Sequence, residues 1–322
     1  MKKLNLHAIR SQVIIESENV RHIFFGVDNR FITHALITVM SLTDNSGESA
    51  YHFHIISSDL SENDVSKFAE ILTGSRHGMT VHHTGSELFS SLPTTVLFTH
   101  ATYYRLLAPL LVPSAEKLLY LDADMVCLNS LDLLWAFPNG ENAIALVVGE
   151  SEGLQASLAA SAGLKNSRYF NAGMMMINVP AWNQAQVSEK ALQLLTSQVT
   201  PFKYLDQDAL NIVLEGKVCF VDRRFNFIEM LSHGDDGYQR DVPPETCIIH
   251  YAGADKPWQA WNQQKVCQYY RTLYRRSPVA SQPYDLPGNH QQAKKMYKAM
   301  FRTRQYLMGV YWRFRYYQMR YL

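Results

Sequence analysis

Two carboxylates one residue apart, Asp122 and Asp124, follow a short apolar run at residues 118–121. A run this short, continuous and apolar is typical of a buried strand. Buried carboxylates raise the free energy of the fold unless a cation or a hydrogen-bonding partner compensates them. The spacing therefore predicts a cation site at the end of a core strand. The alternative is a strand-ending turn with two solvated aspartates, and so short a motif does not separate the two.

Other polar residues come at the ends of predicted strands and could share a site with this pair. Asp28 and Asn29 follow an apolar run at residues 22–27, and His250 lies near the end of another at residues 247–251. Strands alternate with helical patterns along the chain, which predicts an α/β fold with a mostly parallel sheet covered by helices. Ligands of such sheets bind beyond the carboxyl ends of the strands. We therefore expect these polar residues to line one crevice.

Composition limits the class of protein. The chain has 322 residues, a formal net charge of +1 and a hydrophobic share of 47%. These values suit a globular protein with a sizeable core and argue against nucleic acid as an obligatory partner. The four cysteines form no CxxC pair, so no zinc or dithiol redox site is indicated. Widely spaced cysteines suit a reducing compartment, and a cytoplasmic location is expected. No signal peptide and no membrane-spanning stretch are predicted.

Composition also divides the chain into segments. We expect a polar lead-in at residues 1–20, a main domain at 21–276, a linker at 277–290 and a helical tail at 291–322. Proline and glycine accumulate in the expected linker. The stretch 294–322 holds eight lysines or arginines, nine aromatic residues and no acidic residue, an unusual basic and aromatic mixture.

The tail pattern predicts one amphipathic helix. At about 100° per residue, Lys295 and other basic residues fall on one side and apolar residues on the other. Such a helix suits the surface of an anionic membrane, with aromatic rings at headgroup depth. The alternatives are a terminal helix packed on the domain and a basic patch that meets a phosphorylated acceptor. The apolar side comprises Tyr297, Met300, Phe301, Leu307, Met308, Tyr311, Trp312, Met319 and Leu322.

Several of these pieces occur together in one known family. The sequence resembles glycosyltransferase family 8, the retaining sugar-nucleotide transferases, and within it the bacterial lipopolysaccharide core α-glucosyl- and galactosyltransferases. The resemblance covers roughly residues 21–262 and implies a GT-A fold with a Rossmann-like sheet. A lone DxD motif is a weak signal, whereas several motifs in family order are a strong one. The matching motifs are Val27-Asp28-Asn29, Tyr104-Arg105, Tyr120-Leu121-Asp122-Ala123-Asp124, Phe170-Asn171-Ala172-Gly173, Leu205-Asp206-Gln207-Asp208, Arg224-Phe225-Asn226-Phe227 and His250-Tyr251-Ala252-Gly253-Ala254-Asp255-Lys256-Pro257-Trp258.

The resemblance implies a divalent metal, usually Mn²⁺ with Mg²⁺ as the alternative, held by Asp122, Asp124 and His250. Carboxylate oxygens with one imidazole suit manganese better than magnesium, which prefers oxygen and water. Such a cation neutralises the charge of the departing diphosphate. Lys256 would add a positive charge there, and Gly253 would let the backbone approach the phosphates closely.

The resemblance also implies a donor-binding set. Asp28 and Asn29 match positions that contact the nucleotide. Val27 stands where relatives often have an acidic residue, which leaves the uracil contact open. Ala123 and Gly173 lie within the matching motifs. The residues that match positions holding the donor sugar are Arg105, Asn171, Asp206 and Gln207.

The catalytic group is left open between Gln207 and Asp206. Gln207 matches a position near the face of the sugar opposite the leaving group, but an amide is a poor nucleophile. Asp206 is a rival nucleophile or an orienting group. Departure and attack on the same face, within an ion pair, would need no covalent intermediate.

The activity implied is transfer of a hexose from UDP-glucose or UDP-galactose to a hexose of the lipopolysaccharide outer core. The protein would work on the cytoplasmic face of the bacterial inner membrane, as a peripheral protein held by its tail on the anionic surface. Two alternatives stay open. One is a non-catalytic sugar-nucleotide-binding or assembly protein on the same fold, and the other is a glycogenin-like protein that glucosylates its own tyrosine.

Overall fold

A computed structural model gives the fold and describes residues 6–138, 143–197, 202–234 and 238–321. The first five residues of the expected lead-in and Leu322 of the expected tail lie outside the described residues. The chain divides into two compact units. Unit 1 comprises Met1–Ile228 and Glu245–His250, and unit 2 comprises Glu229–Pro244 and Tyr251–Leu322.

Strands and helices alternate along unit 1, as its sequence pattern predicts. Its strands are β1 Arg10–Ile15, β2 Arg21–Gly26, β3 Tyr51–Ser57, β4 Gly78–His83, β5 Lys117–Leu121, β6 Met125–Cys127, β7 Ala145–Gly149, β8 Phe170–Asn178, β9 Val218–Phe220, β10 Phe227–Ile228 and β11 Ile248–His250. Its α-helices are α1 Ile32–Asp44, α2 Glu62–Leu72, α3 Ala108–Leu111, α4 Asp132–Ala136, α5 Glu152–Ala162, α6 Val179–Gln184, α7 Val187–Ser197 and α8 Asp206–Val213. Segments of 3₁₀-helix lie at Leu6–Ala8, His100–Leu107 and Arg223–Asn226.

The larger sheet has the strand order β1-β4-β3-β2-β5-β8-β7-β9. β2 runs parallel to β3 and β5, β3 to β4, and β7 to β9, whereas β8 is antiparallel to both of its neighbours. Parallel neighbours need long crossover connections, which α1 and α2 supply between the first parallel strands. The predicted α/β fold with a central sheet and flanking helices is confirmed.

A second sheet places His250, a predicted metal ligand, beside the aspartate pair. Its order is β10-β11-β6, and the antiparallel pairing sets His250 opposite Met125. Met125 directly follows Asp124, so this register brings the end of β11 beside the turn that leaves β5.

Large apolar side chains hold the long strands in place. All seven residues of β3 are buried, and eight of the nine residues of β8 are buried. Phe24, Tyr120, Met175 and Trp182 belong to one continuous core cluster. Burying a side chain of this size contributes about 1.5–3 kcal/mol. The strands therefore form a rigid base for the polar residues at their ends.

The lead-in expected at residues 1–20 contains strand β1. This strand pairs antiparallel with β4 and sets Ser11 opposite His82, whose ring Nδ1 lies 2.7 Å from Ser11 Oγ. The first four side chains of β1 are exposed, since the strand lies at the edge of the sheet. Its first three residues are polar, so the strand lacks the apolar run or alternation of four to eight residues that would predict it from sequence.

The segment 277–290, expected as a linker, is built into unit 2. Asp285 forms a β-bridge with Gln259, and its N–H donates to Trp258 O at 3.1 Å. Val279 is buried. The two units meet in the chain at residues 228–229, 244–245 and 250–251 rather than here. Proline and glycine mark turns in this segment, and main-chain hydrogen bonds make those turns part of the unit.

The tail forms two helices rather than the single one predicted. Unit 2 contains α9 Cys267–Arg275, α10 His290–Arg302 and α11 Tyr306–Tyr321. Between α10 and α11 the chain reverses at Arg304, whose φ is 60°, and Gln305 N–H donates to Met300 O at 2.8 Å. Gly309 permits close packing of the two helices, because a Cβ there would come 2.6 Å from Phe301 Cε1.

This reversal divides the predicted apolar side. Met300 and Trp312 pack inside unit 2. Lys295, expected on the outer basic side, instead makes an ion pair with Asp255 at 2.6 Å. No helix within the described ranges is both long and apolar enough to cross a bilayer. An exposed apolar stripe remains on α11 and consists of Leu307, Val310, Tyr311, Phe314 and Tyr321.

Candidate active site

Asp122 and Asp124 lie in the turn between β5 and β6. Asp122 N–H donates to Gly173 O at 2.8 Å, which ties the turn to β8. On the other side, the buried Thr38 of α1 has its Oγ1 2.9 Å from Ala123 O and 2.8 Å from Met125 O. A helix and a core strand thus fix the position of both carboxylates.

His250 reaches this turn from β11. Its Nε2 atom lies 3.3 Å from Asp124 Oδ1 and 4.0 Å from Asp122 Oδ2. One ligand atom from each of the three residues lies within 4.8 Å of the other two. Two carboxylates and an imidazole are a donor set that divalent first-row metals accept. The three predicted ligands therefore meet at one place.

Gly173 leaves the space between these ligands open. A Cβ at this position would come 2.6 Å from His250 Cε1 and 2.8 Å from Asp122 Oδ2. Any side chain there would displace the ligand atoms. The open space and the chemistry of the donor set both fit a divalent cation. The carboxylate spacing alone did not decide between a cation site and a solvated turn.

Arg105 joins this cluster to a second carboxylate. Its Nη2 donates to Asp122 Oδ1 at 3.0 Å, and its Nε lies 2.8 Å from Asp206 Oδ2. The guanidinium is buried, and its Nη1 donates to Ala172 O. Burial opposes its charge, but Asp122 and Asp206 together raise its pKa. Arg105 is therefore a fixed positive bridge between the two carboxylates.

Asp206 is buried at the start of α8 with both carboxylate oxygens in polar contact. Oδ1 accepts from Thr102 Oγ1, and Oδ2 faces Arg105. Burial raises the pKa of Asp206 to about 6, against the opposing effects of Arg105 and Thr102. The residue before it, Leu205, has a φ of 45°, a backbone conformation that is costly for a residue with a branched side chain. The turn thus holds Asp206 in place at a local cost.

Gln207 has a fixed amide orientation. Its Oε1 accepts from Ala172 N–H at 2.9 Å, and its Nε2 donates to Tyr169 OH at 3.3 Å. Tyr169 in turn donates to Asp208 Oδ1, and burial raises the pKa of that phenol. In this arrangement the amide oxygen, the only candidate nucleophilic atom of Gln207, accepts a main-chain hydrogen bond.

Asn171 connects the sugar-side residues to the metal cluster. Its Oδ1 accepts from Gly173 N–H at 3.0 Å and from Asn226 Nδ2 at 3.1 Å, and its Nδ2 donates to Glu150 Oε2 at 3.0 Å. Asn226 Oδ1 lies 3.0 Å from His250 Nδ1. A chain of hydrogen-bonded side chains therefore runs from the imidazole to Glu150.

Asp28 and Asn29 lie beyond the carboxyl end of β2, as predicted. Asp28 Oδ2 accepts from Thr99 Oγ1 at 2.7 Å and from Arg30 Nε at 3.1 Å. Asn29 is exposed, and its N–H donates to Asp59 Oδ2 at 3.3 Å. The strand β2 neighbours β5 in the sheet, so both residues lie at the same sheet edge as the aspartate turn.

Gly253 and Lys256 belong to unit 2. Gly253 has a φ of 83°, which glycine adopts without strain. Lys256 is buried, and its Nζ donates to Tyr251 O at 2.7 Å. The neighbouring Asp255 accepts two hydrogen bonds from Lys295 Nζ, at 2.8 and 2.6 Å. Helix α10 thus holds the loop that carries Lys256.

Sequence reasoning assigned no role to several residues that support the predicted ones. Asn226 stands in a matching motif, so its position carried a signal. Glu150 is one residue beyond β7, and apart from this strand-end position nothing in the sequence indicates a role for it. The remaining two are Thr38 and Tyr169, and nothing in the sequence around them indicates a role at the site.

Comparison with known proteins gives consistent matches along the chain. The sequence model described as Glycosyl transferase family 8 matches residues 22–262, and the one described as Glycosyl transferase family 8 C-terminal matches residues 266–319. Lipopolysaccharide 1,3-galactosyltransferase of Salmonella typhimurium is 32% identical over 297 residues, which cover 90% of this chain and 88% of that protein. Lipopolysaccharide 1,2-glucosyltransferase of Escherichia coli is 29% identical over 308 residues, covering 92% and 90%.

Solved structures share the fold. The galactosyltransferase LgtC, crystallised with donor and acceptor sugar analogs, superposes with a TM-score of 0.70 at 24% identity, covering 80% of this chain and 96% of that one. The apo structure of the bifunctional glycosyltransferase WbbM superposes with a TM-score of 0.67 at 18% identity, covering 83% and 51%. The architecture is therefore the expected GT-A fold.

Proposed function

Since the chain belongs to glycosyl transferase family 8, we propose that it is a metal-dependent, retaining hexosyltransferase. It transfers glucose or galactose from UDP-glucose or UDP-galactose to a hexose of the lipopolysaccharide outer core. The observation that carries this proposal is the convergence of Asp122, Asp124 and His250 within 4.8 Å. The acceptor class is supported by the relatives named as lipopolysaccharide galactosyl- and glucosyltransferases, which align with about nine-tenths of the chain.

The metal ligands in this proposal are Asp122, Asp124 and His250. A bound Mn²⁺ supplies Lewis-acid neutralisation of the diphosphate leaving group. The imidazole in the donor set favours Mn²⁺ over Mg²⁺. Ala123 and Gly173 contribute main chain without bulk beside the ligands. Gly173 in particular leaves the space between the ligands open for the cation.

Two pairs of residues are assigned to the nucleotide and to its diphosphate. Asp28 and Asn29 offer polar groups to the nucleoside at the end of β2. Gly253 and Lys256 serve the diphosphate: glycine gives close main-chain approach, and the ammonium gives a positive charge. Since Lys256 Nζ donates to Tyr251 O, its reach toward a donor phosphate would exchange that main-chain bond for a charge-assisted one.

The donor sugar is held by Arg105, Asn171, Asp206 and Gln207. Asp206 acts as an orienting group rather than as a nucleophile, because Thr102 and Arg105 engage both of its oxygens. The carboxamide of Gln207 orients the sugar through Nε2 while its oxygen stays on Ala172 N–H. Both assignments favour same-face departure and attack over a covalent intermediate, since neither side chain is held as a nucleophile.

The membrane contact in this proposal is the exposed stripe of α11. Leu307, Val310 and Phe314 are 89%, 62% and 67% exposed, and Arg313 is exposed beside them. Apolar and aromatic side chains flanked by cations suit the interface of an anionic bilayer. The protein is accordingly proposed as a peripheral protein on the cytoplasmic face of the inner membrane.

A donor screen tests the function. UDP release is measured from UDP-glucose and from UDP-galactose, with and without Mn²⁺, using lipopolysaccharides truncated at successive core hexoses as acceptors. We expect one donor and one truncated acceptor to give Mn²⁺-dependent release. Binding of UDP-sugar without turnover on any acceptor would favour a non-catalytic sugar-nucleotide-binding protein. Label incorporated into the protein itself would favour a glycogenin-like reaction on its own tyrosine.

A further inference from the structure

Asn226 ends the 3₁₀-helix Arg223–Asn226 and has no solvent exposure. It lies in the motif 224–227, to which the proposed donor site gives no role. The strand that follows it, β10, pairs in parallel with β11 and sets Ile228 beside His250. A buried amide needs hydrogen-bond partners on both of its ends, and the partners of Asn226 are both residues of the donor site.

The direction of these hydrogen bonds is determined by the main chain. Gly173 N–H can only donate, so the Asn171 side-chain atom that receives it, at 3.0 Å, is the amide oxygen. That oxygen also receives Asn226 Nδ2 at 3.1 Å. The other end of the Asn226 amide is therefore its oxygen, and it lies 3.0 Å from His250 Nδ1.

An amide oxygen accepts only, so His250 carries its hydrogen on Nδ1. In this tautomer Nε2 presents its lone pair, and Nε2 is the atom that lies 3.3 Å from Asp124 Oδ1. A metal-binding histidine is commonly oriented by a hydrogen bond from its other ring nitrogen. Here the orienting group is the carboxamide of Asn226. Its own direction is set by Gly173 N–H, which acts through Asn171.

The amide of Asn226 also contacts Asn171, which is one of the residues proposed to hold the donor sugar. Because Gly173 N–H and Asn226 Nδ2 both donate to Asn171 Oδ1, the nitrogen of Asn171 points to Glu150 Oε2 at 3.0 Å. We propose that Asn226 is a positioning residue that couples the metal-binding tautomer of His250 to the orientation of Asn171. This inference rests on the proposed metal-dependent function and adds a residue to it.

Two substitutions separate the two roles. Asn226→Leu keeps the approximate size and removes both hydrogen bonds. Asn226→Asp keeps an acceptor for His250 Nδ1–H but places a second oxygen against Asn171 Oδ1. Asn45→Leu is the control, since the Asn45 amide donates to the main-chain carbonyls of Ser41 and Cys127.

The readouts are Mn²⁺ affinity of the full chain without donor, measured by electron paramagnetic resonance of free Mn²⁺, and the donor KM and kcat. For Asn226→Leu we expect Mn²⁺ affinity to fall about 10–100-fold, the usual effect of losing such a partner. For Asn226→Asp we expect Mn²⁺ affinity to stay at the wild-type value while the donor KM rises. Asn45→Leu leaves both at wild-type values.

Wild-type Mn²⁺ affinity in a folded Asn226→Leu variant would overturn the inference while leaving the proposed function intact. Loss of Mn²⁺ binding in a folded Asn226→Asp variant would also overturn it, because the His250 contact is retained there. Asn226→Asp thus decides the matter even where the leucine variant does not fold. Absence of Mn²⁺ binding by the wild-type chain would overturn the proposed function and this inference together.

Discussion

The Nε2 atom of His250 lies 3.3 Å from Oδ1 of Asp124, although the two residues leave different strands. The antiparallel register of β11 and β6 produces this approach, since it sets His250 opposite the residue that follows Asp124. Asp122 completes the group from the end of β5. Helix α1 and strand β8 thus fix the carboxylates of Asp122 and Asp124. Asn226 fixes the tautomer of the His250 imidazole that lies beside them.

Gly173→Ala should weaken metal binding without unfolding the protein. The added methyl group would lie 2.6 Å from His250 Cε1 and 2.8 Å from Asp122 Oδ2, so the ligands must separate. We expect Mn²⁺ affinity to fall at least about tenfold with little change in the melting temperature. Gly153→Ala is the control, because nothing lies within 4 Å of a Cβ at Gly153. Equal Mn²⁺ affinity in the two variants would be inconsistent with the assigned ligand positions.

Lys295→Ala should weaken donor binding from a position on helix α10. Lys295 holds Asp255 through two hydrogen bonds, and together with His233 and Trp261 it lowers the pKa of that carboxyl, although burial raises it. Without Lys295 the loop that carries Lys256 loses a fixed partner. We expect the donor KM to rise several-fold while kcat changes less. Lys298→Ala, an exposed lysine on the same helix, should match the wild type; a similar KM in both variants would remove this role for the helix.

The membrane contact is best tested by substitution rather than by deletion. Removing residues 291–322 would also remove Met300 and Trp312 from the core of unit 2. The double variant Leu307→Glu with Phe314→Glu changes only the exposed stripe. We expect its sedimentation with anionic vesicles to fall by roughly an order of magnitude, because apolar burial and attraction to anionic lipid are both reduced.

A control for that experiment lies on unit 1. Leu133 of α4 is 63% exposed, and Leu133→Glu adds one charge outside the stripe. Vesicle binding of this variant should equal that of the wild type. Equal vesicle binding by the α11 double variant would show that the stripe does not meet the membrane.

A row of histidines predicts how stability depends on pH. His54 lies 3.0 Å from His22 and 3.1 Å from His82, ring nitrogen to ring nitrogen. Burial lowers the pKa of His82 from 6.5 to about 4 and lowers that of His54 as well. Between pH 6.5 and pH 4 the unfolded chain therefore binds more protons than the folded one. The free energy of unfolding is at its full value above pH 6.5 and falls as the pH drops toward 4.

Urea unfolding at several pH values measures this effect. In His82→Gln the proton uptake on unfolding near pH 5 should fall by about one, which flattens the pH dependence. Carboxylates contribute equally in both proteins at that pH. An identical pH dependence in variant and wild type would mean that His82 titrates normally in the folded protein.

Local sequence patterns predict where the strands end. They do not predict which side chains at those ends contact one another. The apolar run before Asp122 predicts β5, and the motif around His250 predicts a ligand at the end of β11. The sequence does not reveal that Arg105 bridges Asp122 and Asp206, since that contact depends on how the segment His100–Leu107 packs beside β2. A Cβ at Gly26 would come 2.6 Å from Tyr104 Cβ, so this packing requires a glycine whose role appears only in three dimensions.

The tail shows why periodicity alone misassigned some residues. A single 3.6-residue period runs through residues 291–322, yet the chain reverses at Arg304 and buries Trp312 against residues that precede the turn. Periodicity records which residues share a face and does not record what covers it. Lys295 was placed on a solvated face for the same reason, whereas its partner Asp255 lies far away in the sequence.

Calorimetric titration of Mn²⁺ into the wild-type chain and into Asp124→Asn, each in the presence of UDP, tests the central claim most directly. The wild-type chain should bind one Mn²⁺. Asp124→Asn should retain its fold by circular dichroism and bind Mn²⁺ at least about tenfold more weakly, since one anionic ligand oxygen is replaced by a neutral amide. Binding of equal affinity to both proteins would contradict the assignment of Asp122, Asp124 and His250 as the metal site.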